Sequence, residues 1–358
     1  MTVERNWSGP LTPPPYEHIE SGHLIGGASK GTKGRHRRLH SSGPMAFGGS
    51  WGVGPAGESR CRSTNILEDD DIDLEEQLKL LNKSPVETLL TDEGDTIDCV
   101  DIDKQPALDH PLLKNHKVQR KPNLLLGPFP NIPLVQSMCN FRSRKPCPIG
   151  TVPFQRIQKE DLIRTRSLPK MPYANMVKDG YAPFGQHGDG WRDGCYNTLC
   201  LGFVQVDRII TPNYPMITVS KYGGPIYELK VEVSQDVSTG NWWLRVHDPP
   251  INVGYWPKEL FVNLQKGTFT TGWGGIAKES ENGYCPPMGN GLLPDADYRK
   301  AAYFRKAQWM NAKGESFPPY EGMPMVVDGG YGLLDMNLRE EPWGYYFSFG
   351  GPGGYCRA

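Results

Sequence analysis

The feature that most constrains the fold is a run of alternating apolar and polar residues from Tyr227 to Gln235. Side chains along a β-strand point to opposite faces in turn, so one set is expected to face a core and the other to face water. The inward set is Tyr227, Leu229, Val231 and Val233, and the outward set is Glu228, Lys230, Glu232 and Ser234. A turn between Asp236 and Gly240 follows, and then Trp242, Leu244 and Val246 resume the inward alternation. This pattern predicts a β-hairpin.

Other short segments with the same period surround this hairpin and are separated by glycine and proline. Val204 and Val206 predict an earlier strand, and Tyr345, Phe347 and Phe349 predict a last one. Pro257 is suited to the first position of a short helix. The sequence therefore predicts an all-β fold of antiparallel strands with aromatic residues in the core.

Composition narrows the classes of function. With 42 Gly, 33 Pro and a mean hydropathy of -0.52, much of the 358-residue chain is expected to be turn or disorder. The net charge of -1 gives no electrostatic basis for binding nucleic acid or a membrane surface. No apolar run approaches the roughly 18 residues that span a bilayer.

The part of the chain before the strands divides at a change of character near residue 67. Residues 1–66 are rich in Gly, Pro and Ser, which predicts a disordered tail, and they lack the apolar core of a secretory signal. From Leu67 to Lys83 an acidic run precedes Leu74, Leu78 and Leu81 at helical spacing. This amphipathic helix is expected to dock on another element, because it cannot bury its apolar stripe alone.

Several blocks of rare residues together carry a resemblance. The chain resembles the plant neprosin family, in its activation peptide and in the carboxyl half of its catalytic domain. The blocks that carry it are Leu78 to Lys83, Asp98 to Asp101, His110 to His116, Cys147 to Thr165, Gly194 to Asn197, Trp242-Trp243, Gly254 to Pro257, Trp273 to Gly275, Met288 to Gly291 and Tyr303 to Arg305. On this basis we expect a propeptide at 67–122, a linker and start of the catalytic domain at 123–193, and a β-sandwich domain at 194–358.

The resemblance implies a secreted glutamic endopeptidase that cleaves after proline at acid pH and is made as a zymogen. It implies a jelly-roll-like antiparallel β-sandwich, no cofactor, a proline-rich peptide or protein as substrate, and the chain's own propeptide as an intramolecular inhibitor. The chemistry needs two facing glutamates, one to deprotonate a water and one to supply a proton. Their mutual repulsion separates their pKa values, which sets an acidic working range.

This sequence departs from the family pattern at both carboxylates. The segment from Gln186 to Asp193 leads almost directly into Gly194-Cys195, so several strands and the first glutamate are missing. The second glutamate lies beside Trp-Gly-Gly in the family, whereas here Gly272 and Ile276 flank that element. Glu279 and Glu281 are the nearby candidates for a catalytic role, and a solvated turn is the alternative for both. Glu228 and Glu232 are expected to be ordinary polar residues on an outward strand face.

The histidines and cysteines give few further indications of function. After the linker the histidines are His187 and His247, which is too few for a usual zinc site. The resemblance implies a disulfide between Cys195 and Cys200. Cys285 is a candidate partner for Cys356, and the pairing of Cys61, Cys99, Cys139 and Cys147 stays open.

Three interpretations of function remain. The first is a secreted post-proline glutamic endopeptidase precursor, impaired in this chain. The second is a non-catalytic β-sandwich protein that binds proline-rich peptides or cell-wall polymers, with Trp242, Trp243, Trp256 and Trp273 as lining residues unless these belong to the core. The third is an ordinary peptidase whose missing strands and signal reflect a misjudged reading frame. The resemblance implies an extracellular location, although no signal peptide is visible in the sequence.

Overall fold

The computed structural model describes residues 65–92, 94–123, 136–137, 145–166, 198–199, 201–212, 219–246, 249–261, 264, 267–268, 271–275, 277, 280, 283–320 and 329–355. Within these residues the chain consists mainly of strands in antiparallel sheets, together with two α-helices. The predicted all-β fold is confirmed.

The elements follow one another in two groups. The first group is α1 (Asn65–Leu81), β1 (Glu87–Leu90), β2 (Thr96–Asp101), β3 (Gln136–Ser137), β4 (Thr151–Gln155) and α2 (Lys159–Arg166). The second group is β5 (Val204–Gln205), β6 (Tyr227–Glu228), β7 (Val231–Gln235), β8 (Trp242–Val246), β9 (Ile251–Trp256), β10 (Tyr284–Cys285), β11 (Ala302–Phe304), β12 (Trp309–Met310), β13 (Ser316–Phe317), β14 (Gly332–Leu334), β15 (Phe347–Gly350) and β16 (Gly354–Tyr355). Short 3-10 helices lie at Pro106–Asp109, Pro111–Leu113, Lys258–Leu260 and Tyr298–Lys300.

The elements from α1 to α2, with the 3-10 helices between them, make up what we call the amino-terminal unit. Strands β1, β2 and β4 make a three-stranded antiparallel sheet, and α1 packs on α2. Leu74 and Leu81 of α1 are buried with Ile157 and Leu162. The helix predicted at 67–83 is confirmed with bounds shifted by two residues at each end, and its apolar stripe is docked as expected.

A disulfide closes this unit. It joins Cys99 of β2 to Cys147, 48 residues further along the chain, and both cysteines are completely buried. This pairing was left open by the sequence. Cys285 is also disulfide-bonded, to a partner outside the described residues. Cys195, Cys200 and Cys356 lie outside them as well, so the pairings predicted for these three stay predictions.

The main sheet has the strand order β5-β9-β8-β7, and all its pairings are antiparallel. The pairing of β7 with β8 confirms the predicted hairpin. Trp242, Leu244 and Val246 are buried in the largest apolar cluster, as expected. A residue of the amino-terminal unit, Leu113, belongs to the same cluster.

The predicted strand from Tyr227 to Gln235 is wrong in two respects. It is interrupted after Glu228, because β6 pairs in parallel with β3 whereas β7 joins the main sheet. The expected faces hold for Tyr227, Leu229 and Val233, which pack against the main core, but they fail at two positions, since Val231 is 41% exposed and Ser234 is buried. Ser234 lies opposite Trp243, on a face that a preceding segment of the chain covers, so the polar pattern on this face does not mark solvent.

A second sheet has the order β11-β15-β14. Tyr345, Phe347 and Phe349 are buried in its own apolar cluster, which confirms the predicted last aromatic strand. Pro257 precedes a single 3-10 turn, a shorter helix than the sequence suggests. No helix among the described residues is long and apolar enough to cross a membrane.

We predict that the Cys99→Ser/Cys147→Ser double variant is less stable than the wild type by about 4 kcal/mol, because the disulfide closes a loop of 48 residues that restricts the unfolded chain. Urea unfolding monitored by circular dichroism measures the difference. The matched control is each single serine variant, which should lose a similar amount. An unchanged midpoint in the double variant would contradict a stabilising role.

Candidate functional site

The strongest candidate for a functional surface is the face of the main sheet that carries Trp243 and Tyr255. Both rings are completely buried, and their centroids are 4.7 Å apart. Ala107 of the amino-terminal unit packs in the same cluster, with Val118 against it. Residues 105–123 therefore cover this face, which we call the covered face.

Gln105 fixes one end of this covering segment. Its side chain is completely buried, and its Oε1 accepts a hydrogen bond of 2.7 Å from the backbone N–H of Gln205. Its Nε2 donates to the carbonyl of Ile102 at 2.8 Å and to that of Gln205 at 3.2 Å. Gln105 thus extends the edge of β5 much as a strand residue would.

The Tyr255 hydroxyl holds the middle of the segment. It accepts a hydrogen bond from the backbone N–H of Gln119 at 2.8 Å, and His116 Nε2 lies 2.8 Å away. The hydroxyl can donate to Nε2 when the imidazole is neutral. Burial raises the pKa of Tyr255, so the hydroxyl keeps its proton at neutral and acid pH.

Asp236 holds the far end, at the turn between β7 and β8. Its Oδ1 accepts hydrogen bonds from the backbone N–H and the hydroxyl of Ser238, at 3.0 and 2.6 Å. Its Oδ2 accepts from Gln119 Nε2 at 2.7 Å and from the backbone N–H of Asn123 at 2.8 Å. The turn therefore uses one carboxylate oxygen, and the covering segment uses the other.

Two titratable groups make this contact sensitive to pH. Burial lowers the pKa of His116 below its ordinary value, and this outweighs the opposite effect of Glu259, whose Oε2 lies 3.8 Å from Nδ1. Burial alone would raise the pKa of Asp236, but the hydrogen bonds from Ser238, Asn123 and Gln119 lower it to about 2. Both shifts mean that the covered state binds protons less readily than a separated one.

Two glutamates of the strands, Glu228 and Glu232, are held by arginines. Glu228 accepts a hydrogen bond of 2.7 Å from the Tyr303 hydroxyl and forms an ion pair with Arg305 through both of its oxygens. Glu232 pairs with Arg245 at 3.1 Å and accepts from the Ser234 hydroxyl at 2.8 Å. The side chains of both pairs are at most 18% exposed, so these residues are more buried than the expected outward face would allow.

The four tryptophans predicted to line a binding site lie in three different clusters. Trp243 lies on the covered face, whereas Trp242 and Trp256 are buried in the main core on the other side of the sheet. Trp273 is half-buried against the cluster of the second sheet. The four tryptophans therefore do not line one groove here, and a role for them in binding stays a prediction. Glu279 and Glu281 lie outside the described residues.

The segment Trp273-Gly274-Gly275 lies against the second sheet. A Cβ on Gly275 would lie 2.5 Å from Met288 Sδ and 2.7 Å from the Phe349 ring, so only glycine fits there. Among the residues the structure describes, no group of three or more His, Cys, Asp or Glu side chains could hold a metal ion.

Sequence reasoning missed the residues that make the covered face. Asp236 with Ser238 two residues later is a recognisable signal for an Asx turn. Nothing in the pattern shows that Gln119, more than 100 residues earlier, binds the remaining oxygen. His116 and Tyr255 likewise meet only through the tertiary fold.

The main sheet of the β-domain is covered by residues of a disulfide-closed amino-terminal unit, as expected if that unit is a propeptide. Comparison with protein-family models agrees with this class of protein, a propeptide-bearing precursor. Residues 88–179 match the model described as Neprosin activation peptide, and residues 182–352 match the model described as Neprosin. The chain belongs to the neprosin family, and residues 105–123 of the covering segment lie within its activation peptide.

We predict that Tyr255→Phe weakens the hold of the propeptide by about 1–3 kcal/mol, since the backbone N–H of Gln119 loses its partner in a partly buried place. Hydrogen–deuterium exchange of the Gln119 amide should become faster. Tyr331→Phe is the matched control, because its hydroxyl donates to the carbonyl of Pro286 away from the propeptide. Equal exchange in both variants would contradict the prediction.

We also predict that the propeptide loosens in two steps as the pH falls. His116 has a lowered pKa when covered, so its contribution is complete above its ordinary pKa of 6.5 and is lost as the pH falls from there through the lowered value. The hydrogen bonds from Gln119 and Asn123 help to lower the pKa of Asp236 to about 2, so their contribution is present at neutral pH and is lost as the pH falls towards that value. Amide exchange of residues 116–123, measured from pH 7 to pH 2, should show both steps.

The matched control for the first step is His116→Gln, which carries no titrating group. It should remove the step below pH 6.5 and leave the step near pH 3 in place. A step near pH 6 that persists in this variant would assign the upper transition to another group.

Proposed function

We propose that the chain is the secreted precursor of a neprosin-type protein whose β-domain binds extended proline-containing peptides and whose post-proline glutamic endopeptidase activity is impaired. The propeptide shields the binding face until acid loosens it. Membership of the family supports the class of chemistry, and its implied secretion supports an extracellular location. The disulfides of Cys99, Cys147 and Cys285 fit an oxidising compartment.

The observation that carries the proposal is the state of the glutamates. A glutamic peptidase needs two carboxylates that face each other and exchange protons with a water and a substrate. Glu228 and Glu232 are each bound to an arginine, and this contact occupies their carboxylate oxygens. Gly272 stands beside Trp273-Gly274-Gly275, where the family resemblance places a glutamate.

The retained binding face supports the other half of the proposal. In the precursor an extended stretch of the propeptide lies on Tyr255 and Asp236, held through its backbone N–H groups at Gln119 and Asn123. Backbone recognition of this kind suits a peptide ligand rather than a small metabolite.

Cleavage of a proline-containing fluorogenic peptide tests the impairment. The full chain, incubated at about pH 4 to loosen the propeptide, should show no acid-dependent hydrolysis between about pH 3 and pH 7, because Glu228 and Glu232 are bound to arginines and Gly272 stands where the family resemblance places a glutamate. The Glu279→Ala/Glu281→Ala variant is the matched comparison. Hydrolysis that this variant loses would overturn the impairment and assign the chemistry to Glu279 and Glu281. Hydrolysis that the variant keeps would overturn it in favour of other residues.

A further inference from the structure

The side-chain amide of Gln119 is fully hydrogen-bonded within the covered face. Its Nε2 donates to Asp236 Oδ2 at 2.7 Å and to the carbonyl of Lys121 at 2.9 Å. Its Oε1 accepts from Asn241 Nδ2 at 2.8 Å and from Thr239 Oγ1 at 3.1 Å. A primary amide has two N–H donors and one oxygen with two lone pairs. All four of these positions are therefore occupied.

Three groups of the β-domain make this pocket, and each is fixed by the domain itself. Asp236 is completely buried, and its other oxygen is bound to Ser238. Asn241 is almost as buried, and its Oδ1 accepts from the backbone N–H of Lys258 at 3.2 Å. The hydroxyl of Thr239 lies 3.4 Å from the backbone N–H of Asn241. Because these contacts do not involve the propeptide, the groups are preorganised for an amide.

The bound segment also has a particular backbone form. Lys121 precedes Pro122, and a residue before proline is restricted to extended conformations. On either side of this proline, the carbonyl of Lys121 accepts from the Gln119 amide and the backbone N–H of Asn123 donates to Asp236. The recognised unit is thus a glutamine followed by proline three residues later, Gln-x-x-Pro.

We propose that the turn formed by Asp236, Thr239 and Asn241 is a glutamine-selective subsite that accepts Gln-x-x-Pro peptides from other chains once the propeptide has left. The inference rests on the proposed peptide-binding function and names the side chain that the face selects. In the precursor, Gln119 occupies the subsite and blocks it.

The chemistry of the subsite distinguishes glutamine from its near relatives. Glutamate has the same shape, but it would place a second carboxylate against Asp236 and remove a donor. Asparagine is one methylene shorter and cannot reach both Asp236 and Asn241 from the same backbone position. An apolar side chain would leave the buried oxygen of Asp236 without this partner, which is unfavourable.

A binding experiment on the full chain tests the proposal. Residues 116–123 are replaced by Gly-Ser residues of equal number, which empties the subsite while the rest of the propeptide stays in place. Calorimetry at pH 7 then measures binding of the peptide His-Lys-Val-Gln-Arg-Lys-Pro-Asn and of its Gln→Glu and Gln→Asn forms. We expect both altered peptides to bind at least about tenfold more weakly.

The outcomes separate the subsite from the wider proposal. Equal binding of all three peptides would overturn the glutamine subsite and leave the peptide-binding function intact. Binding of none, to a chain whose near-UV circular dichroism matches the wild type, would overturn both. Selective binding of the glutamine peptide supports both.

A double-mutant cycle in the otherwise unaltered chain keeps the proposal testable if the Gly-Ser variant does not fold. Asp236→Asn replaces an acceptor by an N–H donor, which should favour glutamate over glutamine at position 119. We expect Q119E and D236N each to speed amide exchange at Asn123. In the double variant, exchange should be slower than the sum of the two single-variant changes in free energy predicts. Additive effects would show that Asp236 does not select the amide.

Discussion

The structure depends on the burial of both faces of the main sheet. One face packs Trp242, Leu244 and Val246 into the main core, and the other packs Trp243 and Tyr255 beneath the amino-terminal unit. Leu113 of that unit also enters the main core. The propeptide is therefore part of the packed interior of the precursor. Its removal would expose the aromatic surface of Trp243 and Tyr255.

The same double burial explains which predictions from sequence succeed. The period of two identifies the β7–β8 hairpin because alternating apolar residues of both strands, Val233 with Trp242, Leu244 and Val246, pack in one cluster. It fails at Ser234 and Glu232, because a polar residue in a strand has the same pattern whether it faces water or a buried partner. Glu232 pairs with Arg245, its neighbour across the hairpin, and accepts a hydrogen bond from Ser234. The break between β6 and β7 is missed for a related reason, since strand pairing with β3 is a long-range choice.

The paired glutamates illustrate how burial and charge decide chemistry. A carboxylate in a partly buried place needs a cation or several donors to remain ionised. Arg305 and Tyr303 provide these for Glu228, and Arg245 and Ser234 provide them for Glu232. These ion pairs stabilise the contacts between strands. A ligand would have to displace these contacts to reach the carboxylate oxygens.

The contacts of the covered face differ in how they respond to acid. Packing of Ala107, Val118 and Leu113 against the sheet does not change with pH. The imidazole of His116 and the carboxylate of Asp236 do change, and both take up protons more readily once they are separated from their partners. Asp236 keeps its bonds to Ser238 after separation, so only the part of its pKa shift that comes from Gln119 and Asn123 contributes to release. His116 would lose its place beside Tyr255, and with it the burial that lowers its pKa. The histidine is therefore the group through which acid first weakens the cover, and the carboxylate extends that effect to lower pH.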